Sequence, residues 1–180
     1  MDLKKRLGII SKIVDEKPGL GKTAIMKHLF LLQEVYKVPL GYDFEIYTYG
    51  PYSSEVMEDI DYAKQLDIVL VEREIFSSGF IGYRISPTEK LKSMVENEKT
   101  IIEESSESIN NVLSVFGSKT ARELELLTTI VYLYSAYKAN GWSVDEVISN
   151  VQDIKPHFDE ATIRTEYEML KKMGILARVA

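Results

Sequence analysis

The run Tyr42–Val56, YDFEIYTYGPYSSEV, constrains the fold of this chain more than any other stretch. Tyr42, Phe44, Tyr47, Tyr49 and Tyr52 are aromatic β-formers, Gly50-Pro51 is a turn signal, and Ser53 and Ser54 offer helix N-caps to the acidic segment that follows. The run predicts an aromatic strand over Phe44–Tyr49, a tight turn and a helix start.

The flanking periodicity fills in the order. Leu3, Leu7, Ile10 and Val14 recur at helical spacing over Leu3–Asp15, and Pro18-Gly19 ends that helix. Ile25, Leu29, Leu32 and Tyr36 mark a second helix over Lys22–Tyr36, broken by Pro39 and Gly41. A third, Ser53–Leu66, buries Val56, Ile60 and Ala63. Then IVLVEREI, FSSG and FIGYRI read as a β-hairpin with Gly79 in its turn. Helix, helix, strand, helix, hairpin is the layout of a winged helix, predicted over residues 1–86.

Ser86-Pro87-Thr88-Glu89 has the form of a capping box, with Ser86 at the N-cap and Pro87 at the first helical position. It opens a connecting helical segment over 87–117, with a break expected around Ser105-Ser106 and a stop at Gly117. Thr120 with Glu123 opens an apolar helix to Ala139, closed by Asn140-Gly141. Ser143 with Glu146 opens another to Ile154, which Lys155-Pro156 ends, and a last helix covers Glu160–Met173. Residues 118–180 thus form a C-terminal helical domain of helix-turn-helix shape. YAKQLDIV (62–69) and LKKMGIL (170–176) look alike, each predicted as a helix running into a short apolar strand, and an internal duplication is one explanation. The fold class is α+β, mostly helical.

The chain has 180 residues, no cysteine and a net charge of −6. The missing cysteines exclude disulfides, cysteine nucleophiles and thiolate metal sites, and fit a cytoplasmic location. No apolar run has membrane-spanning length, because Thr128, Thr129 and Ser135 interrupt the most hydrophobic stretch, so no membrane partner is expected. The basic start MDLKKR has no small-residue cleavage site after its apolar stretch, which argues against export. The acidic balance opposes a general nucleic-acid coat while leaving room for a local basic face.

No catalytic motif emerges. Gly19-Leu20-Gly21-Lys22-Thr23 suggests a phosphate loop, but the glycine required five residues before the Gly-Lys pair is Glu16, and a helix precedes the loop where a strand is needed. His28 and His157 are far apart in sequence and have no cysteine partners, so no metal site is expected. No G-x-S-x-G or HExxH pattern occurs. The expectation is a non-enzyme without cofactors.

Recognition residues are the alternative. Glu55, Glu58, Asp59 and Asp61 make the third helix acidic, although it occupies the recognition-helix slot. A helix entering the major groove wants Arg, Lys, Asn or Gln on its outer face, and carboxylates repel phosphate. Lys4, Lys5, Arg6, Lys12, Lys17, Lys22 and Lys27 gather in the first two helices and their turn, with Arg73 and Arg84 on the wing. A DNA-binding face built from Lys4, Lys5, Arg6, Lys12, Lys22, Arg73 and Arg84 therefore remains as the second reading. Strand alternation puts Tyr47 and Tyr49 on one side, and exposed tyrosines beside a Gly-Pro turn make interface anchors. The first reading is a protein-binding surface of Tyr47, Tyr49, Gly50, Pro51, Tyr52, Glu55 and Asp59. The apolar helix Leu124–Tyr137 either joins the two domains or forms a homodimer.

Lys27-His28-Leu29-Phe30, Pro39-Leu40 and Tyr49-Gly50-Pro51, with the C-terminal ATIRTEYEMLKKMGIL, give the chain a resemblance to the YwgA-like proteins and the wider SocA-like Panacea domain of antitoxins. The chain differs from the Panacea pattern in lacking its Gln-Lys pair and its Trp-Gly-Pro form. The resemblance implies a non-catalytic helical domain that binds another protein, often a toxin, and implies no cofactor.

Overall fold

A computed structural model describes residues 1–75, 81–138 and 141–179, except for the side chains of residues 137 and 138. The protein is α+β and mostly helical. Helix α1 (Leu3–Glu16) starts at Asp2, whose carboxylate accepts the Lys5 N–H, and is followed by α2 (Lys22–Glu34). Strands β1 (Glu45–Tyr47) and β2 (Gly50–Tyr52) come next, then α3 (Ser54–Gln65). Strands β3 (Val69–Ile75) and β4 (Ile81–Pro87) make the wing hairpin, and its predicted turn at Gly79 lies outside the described residues. Leu20, between α1 and α2, bridges Ile85 as a one-residue third strand, which completes the winged-helix order.

The C-terminal half is α4 (Glu89–Asn97), α5 (Lys99–Phe116), α6 (Ala121–Lys138), α7 (Val144–Ile154), α8 (Glu160–Lys172) and α9 (Ile175–Arg178). Asn140, expected to help close α6, lies outside the described residues. The Thr120–Glu123 and Ser143–Glu146 capping boxes form with reciprocal hydrogen bonds. Those bonds hold the Glu123 carboxyl far below the usual range, at about 2. Residues Ala24–Leu32 of α2 are all buried, because α2 packs against α3, α5 and α6 and is covered on every side. One buried apolar cluster runs from Leu7 in α1 to Val179 after α9, crossing the expected boundaries at residues 86 and 117.

Four local expectations change. The aromatic strand is a hairpin: Tyr47 pairs with Gly50 and Glu45 with Tyr52, so Gly50-Pro51 belongs to the returning strand. The capping box at Ser86 does not form, because Ser86 and Pro87 remain in the ladder opposite Leu70 and Val69. Thr88 caps α4 instead, accepting from the Lys90 N–H and donating to the carbonyls of Asp67 and Ile68. The 87–117 helix breaks at Glu98, where α1 crosses: a Cβ on Gly8 would stand 2.6 Å from Glu98 Cβ. Ser105 is buried inside α5.

The fourth change concerns YAKQLDIV and LKKMGIL. Both helices end at a left-handed residue, Asp67 (φ 59°) and Gly174 (φ 72°). After Asp67 the chain enters β3, whereas after Gly174 it turns into α9. The two segments share a helix stop and no strand.

Candidate functional site

Two buried lysines hold the tyrosine hairpin from behind. Lys27 in α2 is 2% exposed, and its Nζ donates to the carbonyl of Pro51. Lys155, just after α7, is 1% exposed and donates to the carbonyls of Tyr47 (3.0 Å) and Thr48. Its Nζ also stands 3.1 Å from Glu125 Oε1, an ion-pair approach with an angle too poor for a hydrogen bond. His157 Nε2 approaches the same oxygen at 3.3 Å. Burial pushes Lys27 down to about 7, the nearby Lys155 adds to this, and Glu125 opposes it.

Gly50 is required by both conformation and space. Its φ is 83°, and a Cβ there would meet Thr129 Oγ1 at 3.0 Å and the Glu125 carbonyl at 3.2 Å. The Thr129 hydroxyl donates to that carbonyl at 2.7 Å. Strand β2 therefore packs against α6, and the tyrosines of the hairpin project outward. Tyr47 is 66% exposed, Tyr49 59% and Tyr52 38%. The Tyr47 and Tyr52 rings pack with centroids 5.6 Å apart.

These tyrosines form one wall of a cleft of about 580 Å³. The Gly19–Gly21 turn and the start of α2 (Lys22–Ala24) form another wall, the Ile81–Arg84 part of β4 forms the third, and Lys119 also lines the cleft. Lys22 Nζ lies 5.1 Å from the centroid of the Tyr83 ring. Tyr83, Ile81 and Ile75 are exposed near this opening, so large apolar and aromatic side chains collect around it.

The structure separates the residues expected to bind protein. Tyr47, Tyr49 and Tyr52 are presented together on the surface, whereas Gly50 and Pro51 are buried beneath them. Glu55 is half-buried and Glu58 exposed. Asp59 is a correction: it is buried, accepts from Arg6 Nε at 2.7 Å and from the Tyr42 hydroxyl at 2.7 Å, and offers nothing to a partner. Burial raises Tyr42 above the usual phenol range, and its bond to Asp59 adds to that.

The basic residues separate too. Arg6 is committed to Asp59, Lys12 to Glu16, Lys22 to Asp61 and Arg84 to Glu74. Lys4, Lys5 and Arg73 are exposed, with no ion pair among the described residues. His28 is fully buried and neither ring nitrogen has a hydrogen bond of good geometry; burial lowers it to about 4. No group of three or more potential metal ligands occurs among the described residues, and no helix among them is long and apolar enough to cross a membrane.

Lys27, Lys155, Glu125 and Tyr83 were not singled out by sequence as site residues. The available signal was charge in apolar surroundings, namely Lys27 within IMKHLFLL and Glu125 near the start of the most apolar helix. No family model matches this chain, and no curated protein matches it.

Proposed function

We propose that this chain is a non-catalytic regulatory interaction module, antitoxin-like in kind, that binds a protein partner through its tyrosine hairpin. One observation carries the reading: Tyr47, Tyr49 and Tyr52 are exposed together on a hairpin whose backbone is fixed from behind by Lys27 and Lys155. Anchored aromatics lose little conformational freedom on binding and bury a large area, as interface hot spots do. Of the acidic residues of α3, Glu58 is exposed and Glu55 half-buried. The nucleic-acid reading has less support, because four of its seven cations are engaged in ion pairs.

Co-purification with mass spectrometry from the native cell identifies the partner, and titration calorimetry then compares the wild type with Tyr49→Ala/Tyr52→Ala. Binding roughly 30-fold weaker, with unchanged circular dichroism, is expected if the pair is a hot spot. Equal affinity would remove the reading. The antitoxin aspect requires that co-expression of this chain restore growth to cells expressing the partner.

A further inference from the structure

Backbone carbonyls, more than side chains, seat the tyrosine hairpin. Among the described residues β1 and β2 pair only with each other, and a ribbon of two short strands is marginal by itself. Within Glu45–Tyr52 the buried residues are Gly50 and Pro51, where β2 packs on α2 and α6. The remaining hold comes from Lys27 and Lys155, through the carbonyls of Pro51, Tyr47 and Thr48. Few apolar groups need be exposed to lift this unit alone.

The groups beneath it carry an unbalanced charge. Three basic side chains, Lys27, Lys155 and His157, share one carboxylate, Glu125. Lys155 and His157 stand at 3.1 Å and 3.3 Å from its Oε1, whereas Lys27 has no ion pair among the described residues and bonds to a neutral carbonyl. A protonated Lys27 is therefore a buried cation without an anion of its own, which is unfavourable. Glu125 of α6 and Lys155 after α7 are the charged groups that act on it. Other charges on the elements around α2 are closed in pairs, Asp59 of α3 with Arg6, Arg84 of β4 with Glu74 and Lys22 of α2 with Asp61. Burial lowers His28, the next residue, to about 4, so it is neutral near pH 7.

We propose that the tyrosine hairpin is a pH-controlled element, which protonation of Lys27 unseats from α2 and α6 and deprotonation locks in place. Lys27 also lines the cleft, so a small lift of the hairpin brings cleft water to Nζ. The neutral amine still donates to the Pro51 carbonyl, so deprotonation removes the charge and keeps the bond. Seated, Lys27 is held down to about 7 by burial and by Lys155; hydrated in the open state, it returns toward 10.5. Between those values the open state holds a proton that the seated state has released. Seating therefore strengthens with rising pH across that window, opening falling up to about tenfold per pH unit, and it is insensitive to pH below the window. The device needs no partner and operates whatever the tyrosines contact.

Amide hydrogen exchange on the full chain, followed by NMR between about pH 7 and 9, tests this. The chemical step of exchange accelerates with hydroxide while opening declines, so amides of Glu45–Tyr52 should exchange at a nearly constant rate. Amides of the outer arm, Glu72–Ile75, should accelerate with pH as usual. The hairpin amides should also exchange faster than those of Ala24–Leu32, which marks a local opening. Lys27→Met should restore the acceleration in the hairpin, which exchange limited by the opening step itself would not show, and His157→Gln should leave the constant rate in place. A second readout needs no variant: lysine-selective 15N NMR of the wild type should show Lys27 Nζ as a neutral amine at pH 9.

Hairpin amides that accelerate like the arm would overturn the proposal. So would hairpin exchange no faster than that of Ala24–Leu32, an unchanged profile in Lys27→Met, a lost one in His157→Gln, or an ammonium at Lys27 at pH 9.

Discussion

The two β-hairpins have similar hydrogen-bonded geometry and opposite supports. The β1–β2 hairpin has three residues per strand, yet buried lysine Nζ groups from α2 and from the turn after α7 hold three of its carbonyls, and α6 lies directly beneath Gly50. The β3–β4 hairpin has seven residues per strand and is fastened mainly at its base, through Leu20–Ile85 and the Thr88 bonds to Asp67 and Ile68. Its outer part carries exposed Ile75, Ile81 and Tyr83 and the surface pair Arg84–Glu74. The short hairpin is a fixed platform and the long one a projecting arm. Burial of the holding groups, more than strand length, separates them.

Substitutions that remove a support should affect the platform and spare the arm. The largest effect is expected from Lys155→Met, which strips the Tyr47 and Thr48 carbonyls of their donor and leaves Glu125 without its closest cation. Breaking a buried pair in this way costs about 3–5 kcal/mol, read from denaturant unfolding. Gly50→Ala comes next. It forces a side chain into a left-handed position against Thr129 and the Glu125 carbonyl, at a cost of about 1–3 kcal/mol. If Gly50→Ala matched the wild type, the platform description would be wrong.

A third effect is a change of slope. The folded-state pKa of Lys27 is lowered to about 7 from 10.5, so between those values the unfolded chain holds a proton that the folded chain has released. Stability from this group therefore rises with pH across that window and is flat below it. Lys27→Met should remove that rise, measurable as unfolding midpoints at a series of pH values from about 7 to 9. The smallest effect belongs to the arm. Arg84→Ala breaks an exposed ion pair and should leave the unfolding midpoint unchanged within error, since such pairs contribute little. A clear loss of stability there would erase the contrast between the hairpins.

Much of the fold was legible because its signals are local. The helical spacing of Leu3, Leu7, Ile10 and Val14 needs only the chain's own periodicity, and the Thr120–Glu123 and Ser143–Glu146 boxes close within four residues. The errors occur where a distant segment decides. Ser86-Pro87 looks like a helix start but is claimed by a ladder with Val69 and Leu70. The helix break moves to Glu98 because α1 crosses there with glycine at the contact. Asp59 shares a face with Glu55 by spacing, and becomes buried because Arg6, 53 residues earlier, reaches it.

The same division holds for the candidate site. The sequence alone determined that an aromatic, turn-bearing insertion lies between two helices, because side-chain shape and backbone preference act over a few residues. Tertiary structure alone decided that the insertion folds back on itself and that Lys155, about a hundred residues away, holds it by its carbonyls. It also decided that the Gly-Leu-Gly-Lys-Thr turn and β4 complete a cleft beside it. Backbone carbonyls are common to every residue, so no sequence pattern marks which of them a buried lysine will bind. That choice follows from how the helices pack.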